Sequence, residues 1–174
     1  MDSMGYLYIS DCKKNAVKRY RVGEQYGIVV AGRNGAGNRL DQLDGPYYMF
    51  VDHEHSLCVS ACLNDRMVKW TDNAKEGIIV AGGHGKGNNL TQSPNPTGLF
   101  VDHLGTVYVA DCGNHRVMRW CNRAIQGNVI AGGNGGAEHG NQLRNPEDLS
   151  FDQRGNLYVV DYGNHRVQRF DIQK

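Results

Sequence analysis

Seven histidines, five cysteines and 18 acidic residues supply the side chains that catalysis or metal binding would need. Many of them recur 50 residues apart. His115 and His165 form one such pair, and His53 and His103 form another. A metal site needs three or four ligands converging on one point. Residues one period apart sit at equivalent places on successive units, so their side chains converge only near a central axis. The histidines therefore read as structural or surface residues. Cys12, Cys62 and Cys112 share one repeat position, which Tyr162 fills in the last period, so the slot has no thiol requirement. Cys58 stands where Tyr8, Tyr108 and Tyr158 stand and reads as a core substitution. An odd cysteine count without C-x-x-C spacing excludes a disulfide framework and fits a reducing, cytoplasmic compartment. The sequon Asn89-Leu90-Thr91 points weakly the other way, because it is usable only on a secretory route.

The glycine-rich stretches Ala81 to Gly87 and Ala131 to Gly136 follow apolar runs, as a phosphate-binding loop does. Asn88-Asn89-Leu90-Thr91 and then Pro94 follow the first, however, and leave no helix N-terminus to hold a phosphate. The stretch recurs as Ala31 to Gly35, which makes it a connection between repeated units. Arg66, Arg116 and Arg166 recur with the same spacing, and Asp11, Asp111 and Asp161 close the preceding apolar runs. These charges read as pairs within one unit, an Arg and backbone N–H groups locking the turn on a carboxylate. Ala61 takes the acid's place beside Arg66, which is left to pair with Asp65 or to face solvent. With 19 basic residues against 18 acidic ones, a dedicated nucleic-acid binder is disfavoured.

The elements that must position these residues follow from the repeat. Asp52, Asp102 and Asp152 keep the period, as do Pro46, Pro96 and Pro146. The segment 100–120 realigns on 150–170 and on 50–70 without a gap, and residues 2–20 fit the same frame. Each period holds four short runs rich in Val, Ile, Tyr, Phe and Trp, separated by turn residues. In the third period they are Gly98–Asp102, Thr106–Ala110, Val117–Cys121 and Asn128–Ala131. Four antiparallel strands in about 50 residues is the arithmetic of a β-propeller blade. The runs 107–110 and 157–160 are apolar at every position, as expected of sheets covered on both faces by neighbouring blades. The expected repeats are 1–45, 46–95, 96–145 and 146–174. Three periods of 50 plus 24 residues predict an all-β arc of about three and a half blades, with open edges that favour self-association. No apolar run is long enough to enter a membrane.

Asn114-His115-Arg116-Val117 and Asn164-His165-Arg166-Val167, each preceded by a strand ending in Asp, resemble the NHL repeat. The fuller pattern P-x-G-L-F-V-D-x-x-G-x-(L/V)-Y-V-A-D-x-G-N-H-R-V-x-R-W is met almost completely from Pro96 to Trp120 and well from Pro146 to Phe170. The second repeat departs from it at Ala61 and at Asn64-Asp65-Arg66-Met67, and the first departs further, at Lys14-Asn15-Ala16-Val17. The resemblance implies a β-propeller, usually of about six blades, that serves as an interaction platform. Such propellers occur alone or attached to ubiquitin-ligase modules, to kinases or to an amidating lyase.

Catalysis needs different groups converging on one reacting atom, whereas identical repeats place identical groups around a ring. An active site would therefore appear as broken symmetry. The breaks at Cys58, Ala61, Asn15-Ala16, Tyr47-Tyr48 and Glu138-His139 assemble no catalytic set. The reading is a non-catalytic propeller segment, without cofactor, that binds a protein partner through its loops. Arg33, Asn34, His84, Lys86, Asn134, Glu138 and His139 are the candidate contact residues. Two alternatives remain. One is an RNA-binding or substrate-recognition propeller of a ubiquitin ligase. The other is a metal-dependent lyase or lactonase using axial residues such as Asn95, Asn145, Glu147 and Asp148.

Overall fold

The computed structural model describes residue 2 and residues 4–172. Fourteen strands among them form four antiparallel sheets. The first sheet contains β1 (Tyr6–Asp11), β2 (Ala16–Arg21) and β3 (Ile28–Ala31). The second contains β4 (Pro46–Val51), β5 (Leu57–Ala61), β6 (Arg66–Trp70) and β7 (Ile78–Gly82). The third contains β8 (Pro96–Val101), β9 (Val107–Asp111), β10 (Arg116–Trp120) and β11 (Asn128–Gly132). The fourth contains β12 (Pro146–Phe151), β13 (Leu157–Asp161) and β14 (Arg166–Phe170). Strand order within each sheet follows the chain, so every blade is a meander, and the strand count runs three, four, four, three. The innermost strands β4, β8 and β12 lie side by side, which makes the array an arc of propeller blades. The strand starts differ from the sequence reading by one or two residues, because Pro46, Pro96 and Pro146 already pair with the ends of β5, β9 and β13.

Each blade junction buries an apolar layer. Val17, Ala31 and Leu43 pack on Leu57, Val59, Val68 and Trp70. One period later Cys58, Met67 and Ala81 pack on Val107, Val109, Met118 and Trp120. Ala110, Val117, Ala131 and Leu143 repeat the contact against Leu149, Leu157 and Val159. Cys58 is thus a core residue, and burial pushes its thiol pKa up to about 12. Phe100 joins the inner strands by edge and tilted ring contacts to Phe50 and Phe151 at 5.3 and 5.2 Å. The end blades differ from the expectation of cover on both faces. In β13 Tyr158 and Val160 are each 37% exposed, and in β1 Leu7 and Ile9 are each 45% exposed. No blade lies against those two faces among the described residues.

The turn that leads into β1, β5, β9 and β13 is built on one acid. Asp2, Asp52, Asp102 and Asp152 each accept two backbone N–H groups, from the residues two and four positions on. A short polar side chain that mimics a backbone turn is why Asp keeps the period here.

Candidate functional site

The connections between blades and the turns between second and third strands gather at one end of the array, and the repeat motif ties them together. His115 and His165 close a 3-10 turn with φ of 56 and 52°, and Asp65 closes its own with φ 54°. Asn15 takes the same left-handed conformation at φ 51°. Asn, Asp and His tolerate this region better than other side chains with a Cβ. The same side chains then act as acceptors for the loop that leaves the blade. Asn15 Oδ1 accepts from the Gly45 N–H, Asp65 Oδ1 from Asn95 and His115 Nδ1 from Asn145, at 3.0 to 3.1 Å. The motif histidine is therefore a backbone anchor, in line with its structural reading. The same contacts place the backbone N–H groups of Asn95 and Asn145 at loop ends.

The motif arginine reaches the loop arriving from the preceding blade. Arg116 pairs with Asp111 at 2.6 Å, and Arg166 pairs with Asp161 at 2.7 Å, as expected. Their other nitrogens donate to loop carbonyls. Arg116 reaches Asn88, Asn89 and Gln92, and Arg166 reaches Glu138, His139 and Gln142. Arg66 corrects the sequence expectation, since it neither pairs with Asp65 nor faces solvent. It is 3% exposed and donates to the carbonyls of Asn38, Arg39 and Gln42. Its Nε has no partner, because Ala61 stands where Asp111 and Asp161 stand. Burial without a carboxylate holds its pKa below the ordinary value. Asp11 also departs from the expected arginine pair. Ala16 occupies the arginine position, and Asp11 meets the exposed Lys14 at 3.7 Å.

Asn114 and Asn164 complete the motif. Each donates to the neighbouring acid, and they reach the loop carbonyls of Gly87 and Ala137 respectively. The sequence reading missed a third anchor, although it keeps the period. Gln42, Gln92 and Gln142 fold back to donate to the carbonyls of Asn34, His84 and Asn134. At the mouth of each loop Gly32, Gly82 and Gly132 hold φ of 71, 68 and 71°. A Cβ at Gly82 would stand 2.6 Å from the Asp65 carbonyl oxygen, so no other residue fits.

The consequence is one set of anchors used three times. Arg33, Asn34, His84, Lys86, Asn134, Glu138 and His139 are all exposed on the anchored loops. The anchors recur, whereas the displayed residues differ from loop to loop. Nearer the array axis, Tyr48 faces Glu147 and Asp148 across the inner strands. Burial, with those two acids, raises its pKa to about 12. Burial also raises the pKa of Asp148. Among the described residues no three or more His, Cys, Asp or Glu side chains are grouped to hold a metal ion. None of the helices described is long and apolar enough to cross a membrane.

The NHL repeat family model matches residues 94–119 and 143–170. No curated protein matches the sequence. Among solved structures, an auxiliary nutrient binding protein from Bacteroides thetaiotaomicron is 13% identical at a TM-score of 0.74, over 97% of this chain and 46% of its own. A structure from a nidogen/laminin complex is 18% identical at a TM-score of 0.72, over 95% of this chain and 56% of its own. A catalytically inactive virginiamycin B lyase from Staphylococcus aureus, solved with quinupristin, is 14% identical at a TM-score of 0.66, over 100% of this chain and 54% of its own. The chain spans about half the length of these structures, and at such identities the likeness is one of fold. The 50-residue register and the meander blades give this chain a β-propeller fold, and two of its repeats match the NHL repeat model.

Proposed function

We propose that this chain is a non-catalytic propeller segment that binds a protein partner through the loops joining its blades. One observation carries the reading: three loops held by equivalent anchors at Arg66, Arg116 and Arg166 display different side chains. The first displays Arg33 and Asn34, the second His84 and Lys86, the third Asn134, Glu138 and His139. A rigid scaffold that varies only its surface residues is how repeat arrays build specific binding faces. The nidogen/laminin structure is a propeller-containing complex of this general kind, and it supports the reading by fold alone. The exposed end faces, carrying Leu7 and Ile9 on one side and Tyr158, Val160 and Val167 on the other, are taken as surfaces of association with further blades or copies.

Exchange of residues 34–41 with 84–91 tests the loop assignment, because Gly35 and Gly37 hold nearly the same φ as Gly85 and Gly87. The exchange should change the partner recovered while the melting temperature stays within a few degrees. An unchanged partner set would exclude recognition through these loops.

A further inference from the structure

The grooves between successive blades repeat with the period of the chain, and one of them is open. Between the first and second blades the groove holds only about 30 Å³. Tyr8, Arg19 and His55 fill it, and Arg19 crosses the junction to Asp72 at 3.1 Å. Between the second and third blades the equivalent groove holds about 250 Å³. Ile78, Val80, Val107 and Cys121 line it where Ile28, Val30, Leu57 and Thr71 line the first. Four replacements open it. Cys58 stands in place of Tyr8, and Gly105 stands in place of His55. Lys69, at the position of Arg19, turns back to Asp52 of its own blade at 2.7 Å, and Asn122 replaces Asp72. Among the described residues no ion pair crosses this junction.

One wall of the cleft is aliphatic, with Ile78 at 59% exposed and the half-buried Val80 on the same face of β7. The opposite wall carries Asn122 and Arg123, and Arg123 is the one charged residue lining the cleft. We infer that this cleft binds a small amphipathic carboxylate, its chain against Ile78, Val80 and Val107 and its head at Arg123 and Asn122. Exposed aliphatic surface gains free energy when a hydrocarbon chain covers it. A guanidinium is the side chain best matched to a carboxylate, and a neighbouring amide adds a further donor. The volume lies just below the usual range for small-molecule pockets, ~300–1,000 Å³, so a short chain fits and a large ring system does not. The cleft lies at the end of the array opposite the loop anchors, so it forms a site separate from the proposed partner surface.

Octanoate titrated against the whole chain tests this. The methyl resonances of Ile78 and Val107 should shift saturably at millimolar octanoate, and octanol should bind more weakly. Gly105→His combined with Asn122→Asp copies the filled groove. The backbone accepts it, since His55 holds φ 59° where Gly105 has φ 76°. This variant should weaken octanoate binding by about tenfold or more. Arg123→Gln, an exposed change that does not touch the core, should bring octanoate down to the level of octanol. No saturable shift in the unaltered chain, or unchanged affinity in both variants, would overturn the proposal.

Discussion

Asp111 and Asp161 occupy the same repeat position, and their surroundings set them apart. Burial raises the pKa of each. At Asp161 the Arg144 N–H, Asn164, Arg166 and Gln168 outweigh it and hold the acid below its ordinary value. At Asp111 burial wins, and the pKa is raised despite Asn114, Arg116 and Ser93. Asp111 is more deeply enclosed and lacks two donors: Pro94 stands where Arg144 stands and has no N–H to give, and Met118 stands where Gln168 stands. Asp111 Oδ1 has no partner in good geometry, and the buried Ser93 hydroxyl is the group that approaches it. Ser93→Ala should therefore destabilise the chain by about 1–3 kcal/mol in urea unfolding. In a Pro94→Ala background, where the N–H is restored, the loss should be clearly smaller. Equal losses in both backgrounds would refute the compensation. The two acids also carry opposite pH dependence. Asp161, with its lowered pKa, contributes stability at neutral pH that is lost as pH falls below about 4, through its folded-state pKa. Asp111, with its raised pKa, opposes folding at neutral pH and is relieved as pH falls through its folded-state value. Asp161→Asn should lower neutral stability and flatten the acid limb of the stability curve, measured by denaturant midpoints from pH 7 to pH 3.

The loop between blades is the element that the motif exists to hold. Its carbonyls face inward, away from water, and a guanidinium satisfies several of them at once. In the second blade this arrangement is incomplete, since Arg66 keeps an unpaired Nε beside Ala61. Ala61→Asp would recreate the pair seen between Arg116 and Asp111. It should stabilise the chain by about 1–3 kcal/mol, the range for hydrogen bonds to charged groups. A fall in the urea midpoint would mean that the cavity beside Arg66 cannot accept a carboxylate. Gly82→Ala acts in the opposite direction. The left-handed backbone alone costs about 1–2 kcal/mol, and contact with the Asp65 carbonyl adds to it. Calorimetry should show a lower melting temperature with the loss concentrated in this variant and absent from Gly85→Asn, whose site is open.

At the scale of the whole molecule the blades are equivalent in sequence and unequal in environment. Leu57 and Val59 are buried at 3% and 0%, whereas Leu7 and Ile9, one period earlier, are 45% exposed. Val117 is fully buried and Val167 is 63% exposed. The apolar layer that each internal junction buries is thus left open at both ends of the arc. The chain should associate in a concentration-dependent way in sedimentation. Val167→Glu with Ile9→Glu should shift it towards the monomer by placing charge on both faces. A monomer at high concentration for the unaltered chain would exclude association through these faces.

Much of this was legible in the 50-residue register. It determined the blades, the Asp turns and the Asp–Arg pairs of the third and fourth blades, because those contacts join residues close in sequence and recur with the period. Cys58 as a core residue followed from its alignment with three tyrosines. The destination of the arginines was not legible, since Arg66 meets carbonyls 24 to 28 residues away, and nothing in a carbonyl's sequence marks it as an acceptor. The cleft beside Ile78 was equally hidden. It arises where Cys58, Gly105 and Asn122, on different strands and turns, leave the same volume empty. Repetition determined where each element lies, because local pattern repeats locally. Only the tertiary structure decided which of the repeated junctions stayed open, because that depends on side-chain volumes summed across two blades.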